Sequence, residues 1–282
     1  MINQKILISG AEYFSNEAPI NPYYKVENVS ITKVTQEHAE LERIFREVGI
    51  EVVKVPAPAT SQDGVYVANW ALVHGGKAII ANLPNARVSE SDYAAKILED
   101  LGLEVIRIPQ NLKFSGQGDS LICGKYLLAG SGYRSDPVAQ AIAARELGLE
   151  LVQLHTVPKL DKQGHPVINQ FSGWPDSFFY DVDLALAVLR EDLIAYLPEA
   201  FDAESRTKIE ALPMKKILVS LEEAKMGFAC NLLSTGRTVI MSSCVPKLQA
   251  EIERHGLTTT LVNADELKKG GGYIRCMSLT LK

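Results

Sequence analysis

The strongest constraint on this chain is a repeat. Four segments pass from helix to strand in the same way: FREVG-IEVVKV, LEDLG-LEVIRI, ARELG-LELVQL and IERHG-LTTTLV. Their glycines, Gly49, Gly102, Gly148 and Gly256, stand just past the helix, where a left-handed residue closes the last turn. The preceding stretches carry helical periodicity. Leu41, Ile44, Phe45 and Val48 keep i, i+3, i+4, i+7 spacing, and Ala94, Ile97, Leu98 and Leu101 repeat it. Asp136-Pro137 supplies an N-cap and a first-turn proline to the third helix. Hairpins precede three of the helices: VANWALV-HGG-KAIIAN, SLI-CGK-YLLAGSG and ACNLLS-TGR-TVIMSS. A further pair, DLALAVL-RED-LIAYL, leads into helix AESRTKIEAL and strand KKILVSL. The last pair joins the two chain ends, YIRCMSLTL with KILISG, ahead of the helix around Leu41.

Five strand–strand–helix–strand units result, the fifth stitched from both termini. Such a repeat describes a closed ring. The expectation is one α/β domain over residues 1–282, a five-fold pseudosymmetric propeller of ββαβ units. The long irregular segments, residues 12–29 and 158–176, are placed to serve as binding or lid elements.

Composition narrows the function classes. With 46% hydrophobic and 22% charged residues the chain is globular, and a net charge of −5 offers no basic face to nucleic acid. No apolar run approaches the roughly 18 residues of a membrane span, and MINQKILISG lacks a signal peptide's apolar stretch. Cys123, Cys230, Cys244 and Cys276 have no metal spacing and no disulfide-framework pattern. HExxH and P-loop motifs are absent as well. The expectation is a soluble cytoplasmic protein with no metal and no cofactor, its oligomeric state open.

Several residues are placed for chemistry. Cys276 follows Gly270-Gly271-Gly272 early on the expected last strand, and the charges of Arg275, Lys268 and Lys269 favour a thiolate. The competing reading is a small buried apolar side chain. Asp181 and Asp183 fall on one face of an expected strand amid apolar neighbours, where they hold a cation or raise one another's pKa; the alternative is a solvated loop. Asp119 ends the turn FSGQGD, which lacks the strand and helix context of a dinucleotide fingerprint. Arg134, before the capped helix, suits a bidentate carboxylate clamp or an ion pair with Asp136. Asn69 is a polar residue expected in mid-strand. His38, His74 and His255 read as surface or structural, whereas His155 and His165 flank the long loop and stay candidates.

Taken in order, these segments resemble the pentein superfamily of guanidine-modifying enzymes: amidinotransferases, arginine deiminases, arginine dihydrolases and dimethylarginine dimethylaminohydrolases. The resemblance runs from Tyr13-Phe14 and Ile20-Asn21-Pro22 through residues 65–69, 116–119, 132–136, 180–183, 198–202 and 228–231 to the glycine run and Cys276. It implies the five-fold propeller and a small-molecule guanidino substrate. Cys276 matches the nucleophile that attacks the guanidinium carbon to form a covalent adduct. Asp119 and Asp183 match the carboxylates holding the guanidinium N–H groups. Asn69 and Asn21 match substrate-binding positions, and Arg134 a binder of the substrate carboxylate.

The departures carry as much meaning. The family's His-x-Asp reads Asp181-Val182-Asp183 here, and the glutamate of Phe-Glu-Gly-x-Gly-Asp is Ser115. That histidine is the family's general acid/base. The resemblance therefore implies either hydrolysis or amidine transfer with non-standard proton transfer, through Asp181 or through His155 or His165, or a degenerate member that binds a guanidino or amino-acid ligand without turnover.

Overall fold

A computed structural model describes residues 2–24, 27–83, 87–170 and 173–282. Two residues of each long irregular segment, 25–26 and 171–172, thus lie outside the described residues. Five three-stranded sheets repeat one pattern. The first comprises β1 (Lys5–Ser9), β2 (Glu51–Val55) and β15 (Leu279–Thr280), with α1 (Ile31–Glu47) between β1 and β2. The second holds β3 (Ala71–His74), β4 (Lys77–Ile80), α2 (Glu90–Asp100) and β5 (Glu104–Arg107). The third holds β6 (Ser120–Cys123), β7 (Tyr126–Ser131), α3 (Pro137–Leu147) and β8 (Glu150–His155). The fourth has β9 (Leu186–Arg190), β10 (Leu193–Tyr196), α4 (Ala203–Ala211) and β11 (Lys215–Leu218). The fifth has β12 (Leu233–Ser234), β13 (Thr238–Ser242), α6 (Pro246–Arg254) and β14 (Thr258–Val262), after the short helix α5 (Leu221–Gly227).

In every sheet the hairpin pair is antiparallel and the helix crossover makes the second pair parallel. The stitched unit forms as expected: β15 pairs antiparallel with β1 in the register Ile6↔Thr280. The four helix-end glycines adopt φ of 88°, 81°, 69° and 77°. Burial follows the same logic. The middle strands are almost wholly buried, while the third strands β5, β11 and β14 are mostly half-buried or exposed. The first strands β3, β6, β9 and β15, with Leu232 just ahead of β12, surround one central cavity of about 580 Å³.

Three local expectations need correction. Residues 274–277 form turns, and only Leu279–Thr280 of the expected YIRCMSLTL strand pairs. Residues 67–69, 116–118 and 182–184 form single 3₁₀ turns ahead of β3, β6 and β9, so Asn69 and Asp183 are not on strands. Helix α5 has no counterpart in the periodicity reading, although Ser220 accepts a hydrogen bond from the Glu223 amide in the manner of an N-cap.

Candidate active site

The turns that displace the expected strands build the site. Each unit contributes a polar side chain from the turn just before its first strand: Asn69, Asp119, Asp183, Asn231 and Cys276. All are buried, and Asp181 and Arg134 are buried beside them. Cys276 Sγ lies 3.4 Å from Asp183 Oδ2 and accepts a hydrogen bond from Asn231 Nδ2 at 3.1 Å. Asn231 Oδ1 in turn accepts the amide N–H groups of Tyr273, Arg275 and Cys276 at 3.1, 3.1 and 3.2 Å. One amide side chain thereby shapes the turn that carries the thiol.

Asp181 Oδ2 accepts from Asn69 Nδ2 at 2.8 Å and lies 3.8 Å from the Arg134 guanidinium. The Arg134 guanidinium stacks 3.9 Å above the Tyr180 ring. Asp119 Oδ1 accepts the Val182 amide at 3.0 Å, tying the third unit's carboxylate to the Asp181-Val182-Asp183 turn. Asp119 Oδ2, Asp181 Oδ1 and Asp183 Oδ1 are all buried without a hydrogen-bond partner. Such orphaned oxygens are rare in folded proteins and are expensive to bury.

Glycines make these approaches feasible. A Cβ on Gly118 would strike the Asn69 amide, and one on Gly130 would strike Asp119 Oδ1. In the glycine run, Gly270 and Gly272 sit against the Tyr66 ring, while Gly271, at φ 82°, sits against the Asn21 side chain. Tyr66 Oη donates to Leu267 O at 2.6 Å and Tyr180 Oη to Gly271 O at 2.7 Å, hanging the run from two buried rings.

The electrostatics overturn one expectation. Burial first, then the charge of Asp183, pushes the Cys276 thiol well above its ordinary range. The cations thought to favour a thiolate are occupied elsewhere. Lys268 pairs with Asp265 and Lys269 with Glu266, while Arg275 donates to Ser278 O and Gln117 Oε1. Burial, reinforced by the charge of Asp181, likewise raises Asp119 and Asp183 well above the usual carboxylate range. In this state the site favours protons on its thiol and on those two carboxyls.

Other expected residues lie differently. Asn21 Nδ2 donates to Gly270 O at 3.1 Å and its Oδ1 accepts from the Tyr23 amide at 3.0 Å. Its amide thus braces the glycine run, away from the carboxylate set. His165 is exposed beside Asp161, and His155 ends β8 near Ser205 at the start of α4. Two contributors escaped the sequence reading. Asn231 stood within the quoted 228–231 match without a role; a polar pair-breaker in the apolar run FACNLL was the available signal. Arg87 holds Asn69 Oδ1 at 2.8 Å while bonded through two nitrogens to Glu90, at 2.8 and 2.7 Å. It fixes which way the Asn69 amide faces.

A sequence profile of the eukaryotic N,N dimethylarginine dimethylhydrolase family matches residues 11–281. The chain belongs to this family. It is 29% identical over 273 residues to the N(G),N(G)-dimethylarginine dimethylaminohydrolase of Mycobacterium tuberculosis, covering 95% of this chain and 83% of that protein. It is 27% identical over 281 residues to the bifunctional arginine dihydrolase/ornithine cyclodeaminase ArgZ of Synechocystis, but spans only 37% of that protein's length. The crystal structure of the product-bound N-terminal domain of ArgZ superposes with a TM-score of 0.88 at 27% identity, over 99% of this chain and 97% of that one. The Pseudomonas aeruginosa dimethylarginine dimethylaminohydrolase, complexed with citrulline, shares the fold at a TM-score of 0.76 and 19% identity, over 99% of each chain. No helix among the described residues is long and apolar enough to cross a membrane.

Proposed function

We propose that the protein is a cysteine-dependent hydrolase of arginine-like guanidino compounds. The observation that carries this reading is the set of three unpartnered carboxylate oxygens, on Asp119, Asp181 and Asp183, buried around the Cys276 thiol. A planar cation with N–H groups on three sides satisfies such oxygens together. Its charge also reverses the local balance: a bound guanidinium stabilises the ionised carboxylates and the thiolate.

The reaction follows from these placements. Cys276 Sγ attacks the guanidinium carbon, and its proton passes to the carboxylate group beside it, of which Asp183 is in contact. The departing nitrogen takes a proton as it leaves. Asp181 and Asp183 are the groups we assign to this transfer, where the resembled enzymes use histidine. Water then adds to the adduct carbon, returns a proton to the carboxylates and releases Cys276 with a ureido product. Arg134, braced by Tyr180, is assigned the carboxylate of an amino-acid substrate, and Asn69 the orientation of Asp181. The domain organisation is proposed to be single over residues 1–282, as the continuous ring of five sheets supports.

A second reading, binding without turnover, draws on one observation. Ser115 Oγ and Asp181 Oδ2 both accept from Asn69 Nδ2, so a serine and a carboxylate occupy the corner where the resembled enzymes use a histidine and a glutamate. Incubation with L-arginine and with dimethylarginine, followed by quantitation of ureido product and released amine, separates the two. Product that disappears in Cys276→Ser supports the hydrolase. Calorimetric binding without product supports the second reading, and neither binding nor product refutes both.

A further inference from the structure

The central cavity is not the reacting site. Its mouth lies among the exposed hairpin turns, at His74, Gly75, Gly124 and Glu191, and its inner end reaches Gln117, Asp183 and Arg275. Cys276 is absent from its lining, so the cavity is a compartment behind the thiol. Its volume, about 580 Å³, is that of an ordinary small-ligand pocket.

Arg275 is the unusual member of the lining. It is only 8% exposed. Its guanidinium donates to Ser278 O at 2.9 Å, Thr280 Oγ1 at 3.2 Å and Gln117 Oε1 at 2.9 Å. A guanidinium carries five N–H donors and stays charged in proteins. Among the described residues the other two buried arginines each pair with a carboxylate, Arg87 with Glu90 and Arg134 with Asp181. Among the described residues Arg275 makes no ion pair. A buried cation outside any ion pair is costly, and here it lines the cavity. Leu72, Leu121, Leu186 and Leu232 supply apolar wall, and the charged residues Asp183, Glu191 and Lys282 line the cavity as well.

We propose that this cavity is a second binding site, for a small carboxylate with a compact apolar body, which Arg275 holds from the cavity floor. A carboxylate matches the planar fork of a guanidinium, and an apolar body matches the walls. Asp183 does not oppose it by charge in the empty protein, because burial favours its protonated form. The site also reaches the chemistry. Arg275 favours ionised Asp183, so an anion bound to Arg275 weakens that support and slows the reaction at Cys276.

Titration calorimetry with benzoate tests the proposal, with neutral benzamide as the shape control. Benzoate should bind saturably and benzamide at least about tenfold more weakly, the scale of one charge-assisted contact. Arg275→Gln should weaken benzoate about tenfold. Val188→Trp, on the half-buried cavity wall and outside the reacting set, should block benzoate while leaving L-arginine turnover unchanged. It keeps the test decisive should Arg275→Gln fail to fold. In Cys276→Ser saturated with L-arginine, benzoate should still bind, more weakly than without L-arginine, because a bound guanidinium leaves Asp183 ionised beside Arg275. Absence of saturation by about 10 mM, weaker than ordinary millimolar small-ligand binding, overturns the site. So does binding that survives Val188→Trp or that saturating L-arginine abolishes. Failure of L-arginine to bind counts against the proposed function and leaves the benzoate result standing.

Discussion

Replacing Asn231 with alanine isolates the piece of structure that presents the thiol. The side chain is fully buried, and its Oδ1 accepts three consecutive-turn amides, those of Tyr273, Arg275 and Cys276. Each such bond is worth about 1 kcal/mol net, so the substitution removes about 3 kcal/mol. Stranded donors in a dry interior increase that cost, and water entering the space left by the amide reduces it. With about 2–4 °C of Tm per kcal/mol for chains of 150–250 residues, Tm should fall by roughly 6–12 °C. The same substitution removes the Nδ2–H that supports a thiolate on Cys276. The pH midpoint of Cys276 alkylation by iodoacetamide should therefore move upward. Circular dichroism melts and alkylation read by mass spectrometry across pH supply both numbers. A Tm within about 2 °C of the parent, with an unmoved alkylation midpoint, refutes the assignment of Asn231 as the organiser of this turn.

Three further outcomes follow from the site. Binding of a guanidinium should strengthen as pH rises from 4 to 8, because Asp119 and Asp183 are held protonated when empty and must release protons to meet a cation; affinity that is flat or stronger in acid, by calorimetry, argues against the carboxylate set. The raised folded-state pKa of Asp183 stabilises the empty protein below the unfolded carboxylate range, and that contribution is lost as pH rises through the folded value, so Asp183→Asn should melt higher than the parent at pH 7–8 while losing turnover; a lower Tm at both pH 5 and pH 8 contradicts this. Arg134→Ala should weaken L-arginine about tenfold or more and leave agmatine, which lacks the carboxylate, within a factor of about two; equal losses would place Arg134 in the fold alone.

The architecture was legible because its signals are local. Gly49, Gly102, Gly148 and Gly256 report a backbone requirement at each helix end, and four repetitions leave little freedom in how the units join. The candidate nucleophile and carboxylates were legible only through the ordered resemblance, since spacing alone also allowed a buried cysteine and a solvated acidic loop. Period-two alternation misplaced Asn69, Asp183 and Cys276 on strands. Short apolar runs at the ends of strands look alike whether they pair or turn, and the 3₁₀ turns at 67–69 and 182–184 are decided by packing across the ring. The same limit hid Asn231. Its partners, Tyr273, Arg275 and Cys276, are more than 40 positions away, and no local pattern announces a bond across that separation. Charge proximity in sequence misled as well: Lys268 and Lys269 lie near Cys276 in the chain but pair with Asp265 and Glu266.

The central claim is covalent chemistry at one sulfur, and intact-protein mass spectrometry with peptide mapping addresses it most directly. The protein is quenched at short times after mixing with L-arginine, dimethylarginine or agmatine. The account predicts a mass gain from at least one of them, mapped to the peptide containing Cys276 and absent in Cys276→Ser. A compound that binds by calorimetry yet leaves Cys276 unmodified at every time and pH, or an adduct that maps to Cys123, Cys230 or Cys244 instead, contradicts it.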